Sequence, residues 1–187
     1  FADYMQYLRQ TGIDVVFVID ATGSMVWVHN RVRERIEALS QYVRNLVPLA
    51  RFGVIAYRDY QDPEFVIRLS QPSFDIVKAR SFMSKLDALG GGDIPEAVTE
   101  ALRQAENTIN WRAGARRVLI VIGDAPPHRY EADEALTIAG RMNRRGARLS
   151  IVDSRVEANR SYLGRTGGQD GFSLRSPSLR QQDVLPA

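Results

Sequence analysis

The stretch Asp14-Val-Val-Phe-Val-Ile-Asp20 constrains this chain more than any other. It is a continuous apolar run, rich in β-branched residues and closed by an aspartate at each end. A run that short reads as a strand buried on both faces, the condition of a central strand in a parallel sheet. A second run of the same kind, Val118-Leu-Ile-Val-Ile122, lies in the later half of the chain.

The segments between and around these runs alternate in period. Residues 25–46 follow helical spacing, with Val28, Val32, Ile36, Leu39, Val43 and Leu46 three or four apart and Pro48 as the stop. Residues 51–57 predict a second strand, Asp59 to Pro63 is turn chemistry, and residues 65–69 predict a short antiparallel edge strand. Helices are predicted over 74–89, from Asp93 to about 109 and over 131–145, with a further strand over 149–152. Beyond Asp153 the signal weakens to a short helix over 157–165, a last strand over 172–174 and a polar tail. Strands alternating with helices of this length predict an α/β fold. The expected form is a doubly wound, Rossmann-like, mostly parallel sheet of about six strands, with one short antiparallel edge strand and helices on both faces. The domain is placed at residues 13–175, with residues 1–12 as an extension and 176–187 as a tail.

A chain of 187 residues is long enough for one full core. Its net charge of +3 and pI near 9.4 come from scattered arginines. The densest groups are Arg31/Arg33/Arg35, Arg116/Arg117 and Arg141/Arg144/Arg145/Arg148. No aromatic residues are interleaved to stack bases, so these read as solvated faces rather than a nucleic-acid surface. With no cysteine, disulfides, thiolate metal sites and a cysteine nucleophile are excluded. No apolar run approaches the roughly 18–20 residues that span a bilayer. The chain starts at Phe1 rather than Met, which leads us to expect a part of a larger protein; the compartment is not indicated.

In a doubly wound sheet, ligands bind beyond the carboxyl ends of the strands where strand order reverses. With the common order 3-2-1-4-5-6, the runs ending at Asp20 and Ile122 are neighbours there, so Asp20 and Asp124 sit side by side. Like charges so placed call for a cation or a shared proton. Asp20, Thr22 and Ser24 offer oxygen side chains at alternating positions, a set that suits Mg²⁺ or Mn²⁺. The alternative is that Thr22 and Ser24 cap the following helix and Asp20 is a turn residue. In Gly90-Gly-Gly-Asp93-Ile-Pro95-Glu96, Asp93 and Glu96 either form a capping-box-like helix start or face the same crest, and both roles are compatible. Asp59 follows the second strand at the same end, as a further carboxylate or as part of the turn with Asp62-Pro63. His29 and His128 read as packing or surface residues.

Asp20-Ala-Thr22-Gly-Ser24-Met25 after an apolar strand resembles the Asp-x-Ser-x-Ser metal-ion-dependent adhesion site of von Willebrand factor A domains. Phe52-Gly-Val-Ile-Ala-Tyr57, the glycine-rich loop and Val121-Ile-Gly-Asp124-Ala follow in the order that family shows. Thr22 stands for the usual first serine and keeps its hydroxyl. Asp93-Ile-Pro-Glu96 occupies the region where many members carry a threonine, and it resembles the version in integrin β-subunit domains. Bacterial and α-kinase-associated A domains also look like this chain. The resemblance implies that Glu96 joins Asp20, Thr22, Ser24 and Asp124 at a main ion. It further implies that Asp93 and Asp59 match carboxylates of a second site, for a divalent cation such as Ca²⁺. The partner it implies is a protein presenting a carboxylate to the metal, with no small-molecule substrate and no membrane segment.

The competing expectation is a metal-dependent phosphatase or hydrolase using Asp20 as nucleophile. Dehalogenase-like phosphatases need an aspartate two residues on, where this chain has Thr22, and a lysine by the second acidic strand end, where neither Lys78 nor Lys85 lies. There is no nucleophile elbow and no Gly-x-x-x-x-Gly-Lys loop. The expectation is therefore a binding module and not an enzyme.

Overall fold

The computed structural model describes residues 2–90, 96–154 and 173–175. The elements are α1 (Ala2–Thr11), β1 (Ile13–Asp20), α2 (Val26–Leu46), β2 (Ala50–Tyr57), β3 (Ile67–Ser73) and α3 (Ile76–Ser84). They continue with α4 (Val98–Asn107), β4 (Arg116–Gly123), α5 (Ala132–Arg144), β5 (Ala147–Asp153) and β6 (Ser173–Arg175). Single 3₁₀ turns at Gly23–Met25 and Arg129–Glu131 lead into α2 and α5. The six strands form one sheet in the order β3-β2-β1-β4-β5-β6. Among the described strands only β3 is antiparallel to its neighbour. This is the doubly wound arrangement the apolar runs predict, with β1 and β4 paired from Ile13↔Arg116 to Ile19↔Ile122.

Burial on both faces explains the continuous apolar character of β1. Val16 and Val18 enter the core shared with α4 and α5, while Val15, Phe17 and Ile19 enter the core shared with α2 and α3. Successive strand residues point to opposite faces, so a strand covered twice is apolar throughout its middle, and its two aspartates stand at the ends.

The edges differ from expectation. Residues 1–12, expected as an extension, contain α1, which buries only Leu8. Arg9 Nε ties it down by donating to the Leu46 carbonyl at 3.0 Å. The edge strand runs over Ile67–Ser73 rather than 65–69, because Phe65 lies under the Arg58 and Arg68 guanidiniums, 4.2 and 4.3 Å from its ring centre. The described part of α4 begins at Val98. The expected helix over 157–165 and the start at Asp93 lie outside the described residues, while β6 covers most of the expected last strand.

The start of α3 carries a side-chain cap: the Asp75 carboxylate accepts from Val77 N–H at 3.0 Å. Asp75→Ala is expected to lower stability by about 1 kcal/mol. Urea unfolding checks this, and a loss below a few tenths would show that the cap contributes little.

Candidate functional site

Asp20 is the last residue of β1 and Asp124 follows β4, so the parallel pairing of these strands brings both carboxylates to one crest. Thr22 and Ser24 complete a continuous run of oxygens between them. The Thr22 hydroxyl and main-chain N–H donate to Asp20 Oδ1 at 2.6 and 2.9 Å. Thr22 Oγ1 lies 3.1 Å from Ser24 Oγ, which donates to Asp124 Oδ1 at 3.0 Å. The Thr22 N–H bond to Asp20 Oδ1 is the turn contact that the alternative reading gives to Asp20, while no helix cap accompanies it. Neither Thr22 nor the cap residue of α2, Met25, makes a side-chain cap hydrogen bond, and both hydroxyls turn to the carboxylates instead.

The main chain of this loop is clamped from neighbouring segments. Ala21 N–H donates to Tyr57 O at 2.9 Å, Gly23 N–H to Gly90 O at 2.9 Å, and Leu89 N–H to Ala21 O at 3.2 Å. Arg58, 2% exposed, adds Nε to Ala21 O at 3.1 Å and Nη2 to Asp87 O at 2.9 Å.

Asp20 is fully buried, and its carboxyl is pushed up to about 7. Burial is the main cause; the Thr22 hydroxyl opposes it, and the neighbouring Asp124 charge adds to it. The main-chain N–H of Asp124 eases the charge, yet Asp20 Oδ2 accepts no hydrogen bond of normal geometry. A buried acceptor left in this way is costly and needs a reason.

An all-oxygen donor set with an unsatisfied buried carboxylate oxygen fits a hard cation. Oxygens held octahedrally about 2.1 Å from Mg²⁺ lie about 3.0 Å from their neighbours. The steps along the run here are 2.6, 3.1 and 3.0 Å. Among the described residues no three acidic or histidine side chains gather closely enough to cage a metal by themselves, so hydroxyls and water have to supply part of any shell.

The other candidate residues are distributed around this crest. Glu96 is 3% exposed, and its main chain bridges to Pro127, with Glu96 N–H donating to Pro126 O at 3.1 Å; this seats it against the loop that carries Asp124. Asp59 is 2% exposed and accepts from Tyr60 N–H at 2.7 Å, with His128 Nε2 3.3 Å away on the same oxygen. His128 stands between Tyr60 and Tyr130, with ring centres 5.3 Å apart on either side, and Tyr60 donates to Glu131 at 2.8 Å. His29 is buried in α2, a packing residue as expected. Asp93 lies outside the described residues.

Tyr57, Arg58 and Gly123 also surround the site, and no motif in the sequence marks them. Their signal is positional: each stands at the end of a strand that the apolar pattern places beside Asp20.

Among the described residues no helix is long and apolar enough to cross a membrane. The chain matches the family model of the von Willebrand factor type A domain over residues 14–184. It is 30% identical over 122 residues to the alpha-protein kinase vwkA of Dictyostelium discoideum, a match that covers 64% of this chain and 19% of that protein. Two solved structures are also similar. The SpRpn10 VWA domain has a TM-score of 0.66 at 14% identity, covering 87% of each chain. The pilus adhesin SpaC from Lactobacillus rhamnosus GG has a TM-score of 0.69 at 12% identity, covering 90% of this chain and 28% of that one. The chain spans less than a fifth of the curated relatives it matches, at 19, 12 and 14% of their lengths. With the family model matching nearly its whole length, the chain belongs to the von Willebrand factor type A domain family.

Proposed function

We propose that this domain binds a partner protein through a divalent cation, Mg²⁺ or Mn²⁺, held by Asp20, Thr22, Ser24 and Asp124. Domains of this family are in general interaction or adhesion modules. The observation that carries the metal reading is the run of closely spaced oxygens from Asp20 Oδ1 to Asp124 Oδ1, beside a buried Oδ2 that accepts no hydrogen bond. In the absence of a cation, Asp20 holds a proton to near neutrality; a divalent ion supplies the positive charge instead.

The ion's remaining positions go to water and to a carboxylate of the partner, which a cation with few anionic ligands attracts strongly. Glu96 completes the main site from the Pro126–Pro127 side. Asp59 and Asp93 are proposed for a second, neighbouring cation such as Ca²⁺. The residue two positions after Asp20 is Thr22, which donates to Asp20 itself, and this favours a binding module over a phosphoryl-transfer enzyme.

The test is calorimetric titration of Mg²⁺ and Mn²⁺ into EDTA-treated protein, with Asp20→Ala and Asp124→Ala alongside. Wild type is expected to bind at least one ion, and each variant to lose that binding by about a hundred-fold or more while still melting cooperatively. A wild type that takes up no ion at millimolar concentration overturns the reading. Turnover of a phosphate ester that depends on Asp20 overturns its second half.

A further inference from the structure

Tyr57 ends β2 directly beside Asp20, its register partner on β1. Its side chain is completely buried, and its hydroxyl has no hydrogen-bond partner among the described residues. A phenol is costly to bury in that state, so the position needs a reason. Its surroundings supply one. The Asp20 carboxyl group stands beside it, at the paired position on β1. A tyrosine phenol is a donor at neutral pH, and a carboxylate beside it, once charged, can only accept.

The space it reaches is defined by Gly123. A Cβ built on that residue would lie 2.4 Å from the Tyr57 hydroxyl and 3.3 Å from both Cβ and Oδ2 of Asp20. The tyrosine ring thus crosses β1 beneath Asp20 and ends in room that only a glycine on β4 leaves open. A donor lacking an acceptor and an acceptor lacking a donor, Asp20 Oδ2, border the same small volume.

We propose that Tyr57 is a positioning residue of the cation site, its hydroxyl donating to Asp20 Oδ2 when the ion is bound and so fixing the carboxylate for ligation, with Gly123 as the steric partner that makes this possible. Outer hydrogen-bond partners of this kind orient metal ligands, and losing one typically weakens metal affinity about 10–100-fold. The inference rests on the cation-binding reading above.

The experiment compares wild type, Tyr57→Phe, Gly123→Ala and the double variant by Mg²⁺ calorimetry, by melting in EDTA and by tyrosine ultraviolet difference spectra on adding Mg²⁺. Tyr57→Phe is expected to keep the metal-free melting behaviour of wild type, since the hydroxyl it loses is unsatisfied there, but to bind Mg²⁺ about ten-fold or more weakly. The difference signal that Mg²⁺ produces in wild type should vanish in that variant. Gly123→Ala should lower the metal-free melting temperature, and by less when Tyr57→Phe has already removed the atom its methyl would strike. A Tyr57→Phe protein with wild-type Mg²⁺ affinity and an undiminished signal overturns the positioning role while leaving the metal site standing. A wild type that binds no ion overturns both. If Tyr57→Phe does not fold, Gly123→Ala carries the test, and unchanged Mg²⁺ affinity there is equally fatal.

Discussion

Replacing Asp14 with alanine is expected to cost about 3–5 kcal/mol of stability while leaving cation affinity unchanged in the molecules that remain folded. Asp14 lies near the start of β1, at the pole opposite the crest, with its side chain wholly buried. Arg51 grips it with two bonds, Nε to Oδ1 at 2.9 Å and Nη2 to Oδ2 at 2.6 Å. Arg112 adds its Nε to Oδ1 at 2.9 Å and its main-chain N–H to Oδ2 at 2.8 Å. The same two guanidiniums also reach the carbonyls of Asn110, Ile13 and Leu49, so the carboxylate anchors three separate stretches of chain. Alanine leaves two oriented, partly buried guanidiniums without their counter-charge.

The pH dependence follows with a definite sign. Burial alone raises the Asp14 carboxyl, but the hydrogen bonds from Arg51 and Arg112 outweigh it and hold the group below its ordinary value of 3.8. A carboxyl depressed in the fold adds stability that is complete above the unfolded value and is lost as pH falls through the folded one. The gap between wild type and Asp14→Ala in urea unfolding should therefore be constant near neutrality and narrow in acid, below about pH 4. A gap under about 1 kcal/mol, or one that widens in acid, would contradict this account.

What the sequence reveals and conceals follows from burial. The strands β1 and β4 were legible because both faces are covered and the positions between their ends must be apolar, and their adjacency sufficed to place Asp20 next to Asp124. The alternating oxygens of Thr22 and Ser24 were visible too, but metal ligands and helix caps share that pattern, and the bonds of these hydroxyls to Asp20 and Asp124 depend on strand pairing that no local window contains. The helix α1 is short and leaves Tyr4 and Tyr7 exposed, so its apolar positions do not mark a core face as the long strands do. Phe65 carries a strand-like signal because hydrophobicity reports that it packs on the core but not that it does so from a loop, under two arginines. Tyr57 looked like the ordinary end of a strand; its reach to Gly123 crosses an intervening strand, a relation that no local window of sequence contains.

Arg58→Met is the change expected to damage stability and site together, in contrast to Asp14→Ala. A charged residue just after a strand ordinarily lies in solvent, yet this side chain is 3% exposed. Its Nη1 donates to Asp62 Oδ1 at 3.2 Å and Glu64 Oε2 at 2.8 Å, and its guanidinium covers Phe65. Nε and Nη2 hold the Ala21 and Asp87 carbonyls, one in the crest loop and one in the segment that leads to Gly90. Its own main chain links Val66 O, at 3.0 Å, to Ala97 N–H, at 3.2 Å. A planar fork with five donors serves four acceptors in different directions at once; a lysine ammonium has three donors at a single point and cannot. Methionine matches the length but leaves the Asp62 carboxylate, 1% exposed, without its cation, and strips two carbonyls of a donor. Breaking a buried pair in this way costs about 3–5 kcal/mol. The Ala21 carbonyl keeps its bond from Leu89 but loses the guanidinium, so the loop bearing Thr22 and Ser24 loses its orientation and Mg²⁺ affinity should fall about ten-fold or more. Arg58→Lys, which keeps the charge but not the fork, should recover more of the stability than of the affinity. Urea unfolding and Mg²⁺ calorimetry on the two variants separate these effects, and a methionine variant with wild-type stability would show that the guanidinium is not the tie between the crest loop and its neighbours.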